Sequence, residues 1–369
     1  MGFGVVTHFQ EVIKGFKIYS LIQSQALEPK NTDTLIEGAL RGMVGSLNDP
    51  YSTYLDKETY TSLKESISGG SNYGGVGLLI TLDEEKKVPM VVSPFKGAPA
   101  QRAGIKTKDF IINIDGQSTN NMDLETAANL MKGEPGTKVE LTILSENDLS
   151  TRQVVLTREI IQVPAVEGKI LEGHQDIGYL NFLTMFSEQT AVDLGNELKE
   201  LRQQGMKRLI IDLRNNPGGS LAAAVDVASY FVPEGPIVYL SNSKKTEALM
   251  ARGYAQPLPL VVLVNGGSAS ASEIVAGAIK DTKSGYLVGE KTFGKGIVQT
   301  IYPLPGDTAV RITTHKYLTP GKHDIHHKGI MPDYVVTMEP EIEQHVLANA
   351  PDVENDPQLQ KAIELLENQ

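Results

Sequence analysis

Ser270 and Lys295 are the side chains of this sequence whose types could run a reaction together. A serine hydroxyl is a weak nucleophile until a neighbouring base takes its proton, and a lysine amine is such a base only when neutral. Burial among apolar groups favours the neutral amine because it penalises the charged one. The serine lies in Val264-Asn265-Gly266-Gly267-Ser268-Ala269-Ser270-Ala271-Ser272-Glu273-Ile274, and the lysine in Glu290-Lys291-Thr292-Phe293-Gly294-Lys295-Gly296, 25 positions on. On spacing alone the same residues also fit a small-residue turn feeding a helix and a solvated loop charge.

The elements around the pair favour a meeting. Pro259–Val264 is an apolar, β-branched run that reads as a buried strand. Ser272–Lys280 carries Ile274, Val275, Ala278 and Ile279 at helical spacing, with small polar residues at its start as a cap. Lys283-Ser284-Gly285 breaks the chain, and Tyr286–Gly289 reads as the next strand. Such a βαβ unit has parallel strands and a right-handed crossover, so the loops holding Ser270 and Lys295 leave the same carboxyl edge of the sheet. A second strand-loop-helix unit precedes it. The strand is Arg208–Arg214, the loop Asn215-Asn216-Pro217-Gly218-Gly219-Ser220, and the helix Leu221–Phe231. Glycines let backbone N–H groups face outward at a helix start, which suits an oxyanion, although packing alone could also demand them. Ile177–Phe182 is expected as a further strand, and Thr190–Gln204 as a helix burying Val192, Leu194, Leu198 and Leu201.

Other chemistries fit less well. Gly289–Lys295 matches G-x-x-x-x-G-K, but Gly296 follows where a phosphate loop needs Ser or Thr, and Ile297–Tyr302 reads as a strand where it needs a helix. Ser241-Asn242-Ser243-Lys244 matches S-x-x-K in a polar loop, with no K-T-G to accompany it. His323, His326 and His327 gather in a loop between strands without a carboxylate or cysteine at helical spacing, so no metal is expected there. No histidine, His315 included, stands in a triad-like arrangement with Ser270.

The stretch around Ser270 resembles the active-site region of the carboxy-terminal processing proteases, also called tail-specific proteases. The matching residues are Asn265, Ser268–Ile274 and Gly289–Gln299. The resemblance implies that Ser270 is the nucleophile, Lys295 its base, and Gln299 the residue that orients the lysine. It places the glycine loop at the active site, with Gly218 or Gly219 giving one oxyanion donor and the Ala271 N–H the other. Asp281 matches a further family position expected to be structural. His323–His327 departs from the family pattern and is expected at the rim of the cleft.

The resemblance extends over residues 30–369. Its implied fold is an α/β protease core of crotonase- or ClpP-like βα units, with an inserted α+β PDZ domain and helical ends. The domains expected are a helical region over 1–70, the PDZ domain over 71–157, the protease core over 158–340 and a helical tail over 341–369. His8–Gln25 carries an apolar stripe (Phe9, Val12, Ile13, Phe16, Ile18, Leu21, Ile22), Thr32–Leu47 is a second helix, and Asp49–Leu55 a turn. Gly75, Val76, Gly77 and Leu78 open the PDZ domain in the position of a loop whose N–H groups bind a peptide's terminal carboxylate. Ala98–Ile105, the strand Asp109–Gly116, the helix Leu124–Lys132 and the strand Lys138–Leu144 complete that pattern. Asp356–Leu366 places Leu359, Ala362, Ile363 and Leu366 on one helical face. With the N-terminal helices it is expected at a homodimer contact.

A net charge of -11 over 369 residues, with 40% hydrophobic and 21% charged, describes a globular chain unsuited to nucleic acid or an anionic membrane surface. There is no cysteine, hence no disulfide or thiol chemistry. No apolar run of membrane-spanning length occurs, and Met1–Val6 does not form a complete signal peptide. Because members of the resembled family are usually exported, an extracytoplasmic bacterial location is expected, with a leader or anchor upstream of Met1. The reading is a serine endopeptidase that needs no cofactor and acts on protein substrates with a free C-terminus. A catalytically silent PDZ scaffold and a crotonase-like acyl-transfer enzyme are the alternatives, which peptide and thioester assays would separate.

Overall fold

The computed structural model describes residues 9–68, 73–83, 86–95, 97–146, 149–161, 163–348 and 351–368. The stretch Met1–Val6 and the expected boundary at Gly70 lie outside the described residues. The chain divides into two compact units, one of residues 1–62 with 298–314, the other of 63–297 with 315–369.

In the first unit, helix α1 (Phe9–Gln25) and helix α2 (Thr32–Gly45) precede strand β1 (Thr53–Leu55). Asn31 caps α2 by accepting the Thr34 N–H at 2.8 Å. The segment expected as one turn over 49–55 divides. Asp49–Ser52 does turn, with Ser52 Oγ donating to Asp49 Oδ2 at 2.5 Å. Thr53–Leu55 instead pairs antiparallel with Arg311–Ala309, because Tyr54 and Leu55 are buried and a strand there keeps their backbone groups paired. No residue of α1 is buried, and Phe16 is 71% exposed, so the stripe on this helix is not core within the chain.

Helix α3 (Lys57–Ser68) leads out of that unit. In the second unit, β2 (Tyr73–Gly75) pairs antiparallel with β9 (Glu159–Ile161), so the inserted domain is entered and left through one two-stranded ribbon. Between them lie β3 (Leu78–Leu82), β4 (Pro89–Pro94), α4 (Pro99–Arg102), β5 (Phe110–Ile114), β6 (Gln117–Ser118), α5 (Leu124–Met131), β7 (Lys138–Leu144) and β8 (Thr151–Thr157). The strands order as β3-β4-β5-β7-β8 with β6 on β5. Val76, Val91, Ile111, Ile114, Leu141 and Ile143 form their core with Ala127 and Met131 of α5.

The core of the second unit is a six-stranded sheet, β10 (Val166–Leu171), β11 (His174–Phe182), β12 (Arg208–Asp212), β15 (Leu260–Val264), β16 (Tyr286–Gly289) and β19 (Tyr334–Val335), in that order. Its first pair is antiparallel and the rest parallel. All five residues of β15 are buried, as covering on both faces requires. The crossover helices are α6 (Glu188–Gln203), α7 (Leu221–Ala228) and α8 (Ala271–Asp281). Between α7 and β15 lie β13 (Pro236–Ser241) and the edge strand β14 (Thr246–Met250). Strand β17 (Ile297–Leu304) and strand β18 (Thr308–Leu318) follow β16, and the end of β18, Lys316–Leu318, pairs with β13.

Two expectations about packing change. Val192 is 54% exposed, while Thr190, Leu194, Leu198 and Leu201 are buried. Two residues at about 100° each separate Val192 from Leu194, which puts it on the opposite side of the helix. The closing helix, after α9 (Pro340–Ala348), is α10 (Pro357–Glu367). Its Leu359, Ala362, Ile363 and Leu366 pack on Ile177, Tyr179, Ile210, Val261, Leu263 and Val288 of the central sheet. The tail stripe expected at a dimer contact is thus used within the chain, because it caps a sheet face that would otherwise be open.

That helix is pinned by charge. Asp356 caps it, accepting the Gln358 and Leu359 N–H groups at 2.9 Å each, and its other oxygen lies 2.8 Å from Arg214 Nη1. Arg214 forks onto Asp212, whose Oδ2 also takes the Tyr179 hydroxyl at 2.6 Å. Burial raises the Asp356 carboxyl above its usual range, and Arg214 opposes that rise. Burial also works against the Arg214 charge, but Asp212 and then Asp356 outweigh it, so the guanidinium stays charged. Asp356→Ala should cost about 3 kcal/mol or more by removing a buried partner and a cap, lowering Tm by roughly 6 °C. Calorimetry checks this, and an unchanged Tm would refute it.

Candidate active site

Strands β12, β15 and β16 run parallel in register, Asp212 beside Leu263 and Val264 beside Gly289, so the three loops that follow them leave one edge. Amide side chains lace the first two together. Asn215 N–H donates to Asn265 Oδ1 and Asn265 Nδ2 returns a bond to Asn215 Oδ1, both at 2.9 Å. Asn216, 2% exposed, donates to the Thr184 carbonyl at 2.9 Å. Its Oδ1 accepts the Gly218 N–H at 3.0 Å and Ser272 Oγ at 2.9 Å, and its carbonyl accepts the Ala269 N–H at 3.1 Å.

The serines of the triplet separate by environment. Ser268 and Ser272 are fully buried, and their hydroxyls donate to the carbonyls of Leu213 at 2.8 Å and Asn216 at 2.9 Å. Ser270 is half-buried, and among the described residues its hydroxyl donates to no loop carbonyl. Its backbone has φ 55° and ψ -114°, a region glycine favours and other residues enter only when their surroundings enforce it.

Glu273 is a principal part of that enforcement. It is 0% exposed. Oε2 accepts the Ser270 N–H at 3.0 Å and the Lys295 N–H at 2.8 Å. Oε1 accepts Thr292 Oγ1 at 2.5 Å and the Gly294 N–H at 2.8 Å. The backbones carrying the serine and the lysine therefore share one carboxylate oxygen, with the Lys295 side chain half-buried.

Gly218 lies against the serine. A Cβ there would stand 2.6 Å from the Ala271 nitrogen and 2.9 Å from Ser270 Cβ. Only glycine leaves that space open, at φ 93°. Gly219 bridges Phe186, and the Gly218 carbonyl accepts the Phe186 N–H at 2.9 Å. Because Asn216 occupies the Gly218 N–H, Ala271 and Gly219 keep the N–H groups that have no hydrogen bond among the described residues.

The remaining expected residues fall elsewhere. Gln299 is on β17 in the first unit, with its amide nitrogen buried and unpaired among the described residues. Gly75, Val76, Gly77 and Leu78 cluster at the start of β3, where the Val76 and Gly77 carbonyls accept the Ala100 and Phe95 N–H groups at 3.0 Å each. The histidine segment lies behind the lysine loop. His327 N–H donates to the Gly294 carbonyl at 2.8 Å, and a Cβ on Gly296 would meet His326 N at 2.7 Å. Asp281 accepts the Gly321 N–H at 2.8 Å, a structural role. Glu273 and Asn216 were not singled out from the sequence. The S-x-x-E spacing from Ser270 to Glu273 is a capping-box signal that pointed to the former; nothing local points to Asn216.

Comparison with known proteins gives the family. Residues 176–336 match Peptidase family S41, 66–144 a PDZ domain, and 5–59 the Activating protease CtpB N-terminal domain. The chain is 43% identical over 333 residues to a carboxyl-terminal-processing protease of a Picosynechococcus species, covering 89% of this chain and 78% of the relative. It is 38% identical over 321 residues to the carboxy-terminal processing protease CtpA of Bacillus subtilis, covering 86% and 67%. Among solved structures, the photosystem II D1 C-terminal processing protease aligns at TM-score 0.53 and 30% identity over 94% of this chain and 97% of that one. No helix among the described residues is long and apolar enough to cross a membrane. A serine-type peptidase of the carboxyl-terminal processing kind, the chain belongs to peptidase family S41.

Proposed function

We propose that Ser270 and Lys295 form the reacting pair of this peptidase. Ser270 Oγ attacks the scissile carbonyl carbon while the neutral Lys295 amine takes its proton and then passes it to the leaving amine. Water hydrolyses the resulting acyl-enzyme with the same amine as base. The N–H groups of Ala271 and Gly219 are the proposed oxyanion donors, over the space that Gly218 leaves open. Gln299 is given the role of orienting Lys295; its unspent buried amide nitrogen, an unfavourable feature in a purely structural residue, supports a functional reading. Parallel βα units with a glycine loop at the strand ends support a crotonase- or ClpP-like description of the core.

The single observation that carries the pair is the shared Glu273 oxygen, which holds the serine and lysine backbones against one carboxylate. The PDZ loop Gly75–Leu78 is proposed to bind the C-terminal carboxylate of a protein substrate, whose tail adds along the free edge of β3. That binding gates cleavage if the tail prefers the active arrangement. The uncovered stripe of α1 supports a homodimer through the N-terminal helices. An extracytoplasmic bacterial location completes the reading.

Three measurements test it. With casein as substrate, Ser270→Ala and Lys295→Ala should each lower kcat by about 10³-fold or more while circular dichroism stays unchanged; activity in folded Ser270→Ala would move the nucleophile elsewhere. Glu273→Gln turns one acceptor oxygen into a donor facing N–H groups, so kcat should fall roughly 100-fold; a value within twofold of wild type would sink the role given to Glu273. Gly77 has φ 73°, and a Cβ there would sit 2.3 Å from Ala98 Cβ. Gly77→Val should therefore raise KM for tail-bearing substrates and spare short tail-less peptides, and equal kinetics on both would remove the PDZ role.

A further inference from the structure

The carbonyl of Ser270 faces three donors. Two are the N–H groups of Glu273 at 2.9 Å and Ile274 at 3.1 Å, which begin the helix. The third comes from far along the chain, the hydroxyl of Tyr317 at 3.0 Å. Tyr317 stands near the end of β18, beside Leu240 of β13, and is 1% exposed. Its own N–H donates at 3.0 Å to the carbonyl of Gly296, the residue after Lys295. One residue thus holds the carbonyl of the serine and the carbonyl next to the lysine.

A peptide group is planar, so the Ser270 carbonyl and the Ala271 N–H move as one rigid plate. Whatever orients that carbonyl orients the N–H on the other side of the plate. A hydrogen bond to the carbonyl also polarises the amide and strengthens its N–H as a donor. The phenol is well suited to donate. Burial pushes its pKa well above the ordinary range and the nearby Glu273 carboxylate adds to this, so the proton stays on.

We propose that Tyr317 is a positioning residue for the oxyanion site, fixing the Ser270–Ala271 peptide plane so that the Ala271 N–H points at the developing charge. It touches neither substrate nor reacting atoms. The inference rests on the reading of Ser270 as nucleophile and Ala271 as oxyanion donor. The helix start keeps its two backbone bonds without the phenol, so loss of the hydroxyl tilts the plate without unfolding α8.

The test is Tyr317→Phe, which keeps the ring and removes the hydroxyl. A peptidyl boronate that forms a tetrahedral adduct on the serine reports on the oxyanion site, and a PDZ-binding tail peptide serves as control. Active sites are counted with a fluorophosphonate. Per titrated site, kcat should fall about tenfold, less than for loss of a direct oxyanion donor, with KM unchanged. Boronate affinity should weaken by a similar factor, tail-peptide affinity should hold, and Tm should stay near wild type. Wild-type kcat and boronate affinity would overturn the proposal. So would a variant that does not fold, because a positioning role leaves the fold standing. Ser270→Ala in parallel separates the two levels. Activity there removes the underlying reading, whereas an inactive Ser270→Ala beside a wild-type Tyr317→Phe removes only the role of Tyr317.

Discussion

A carboxylate taken fully out of water must be matched by donors, since each one missing costs on the order of 1–3 kcal/mol, more where the group is charged. Glu273 meets that demand with four, one from the turn before α8 and three from Thr292–Lys295. The constraint runs both ways. The loop after β16 cannot drift from the start of α8 without stranding the carboxylate, and Ser270 cannot relax its backbone without surrendering a bond to it. The spacing of serine and lysine is therefore inherited from a group that does no chemistry of its own in the proposed reaction.

The strain at Ser270 has a use in this arrangement. A positive-φ residue at the strand-to-helix turn costs on the order of 1–3 kcal/mol, and the turn presents Ser270 half-exposed while Ser268 and Ser272 face inward. Inward-facing hydroxyls bind the carbonyls of Leu213 and Asn216, so two serines of the triplet clamp the glycine loop to the turn that carries the third. Asn216 completes the clamp from the other side. By occupying the Gly218 N–H it fixes the loop, and the close approach of Gly218 to Ala271 follows.

Much of this was legible in the sequence because it is local. Periodicity placed β15, α8 and β16 to within a residue or two, and parallel pairing then put their loops at one edge. The ordered PDZ segments were likewise legible. What escaped was set by partners distant in the chain. Thr53–Leu55 became a strand only because Ala309–Arg311 was there to pair with it. The stripe of α10 was correctly read as apolar, but which surface it covers depends on a sheet face more than 70 residues away in sequence. Asn216 reaches Thr184 and Ser272, 32 and 56 positions off, and no window of sequence contains such a bond. Val192 failed for a different reason: an angle was neglected, and the helical wheel alone would have corrected it.

The cluster behind the glycine loop extends the same logic to the far end of the chain. Asp212 closes β12, Arg214 is two residues on in the loop, and Asp356 caps the last helix, all buried. Two carboxylates around one guanidinium do not stabilise a fold simply by being charged, because desolvation consumes most of the Coulombic gain. Their value is specificity of position. Arg214 also points Nη1 at Gln358 Oε1 at 3.2 Å, while Gln358 Nε2 donates to the Val336 carbonyl at 2.8 Å just after β19. The loop that opens space over the Ala271 N–H is thus tied to the final helix and to the last strand of the sheet. A chain lacking α10 would leave Arg214 short of a buried partner and one sheet face bare, and the glycine loop would lose the anchor that sets its height at the strand edge. The closing helix, remote from the serine in sequence, is on these grounds part of the apparatus that holds the site.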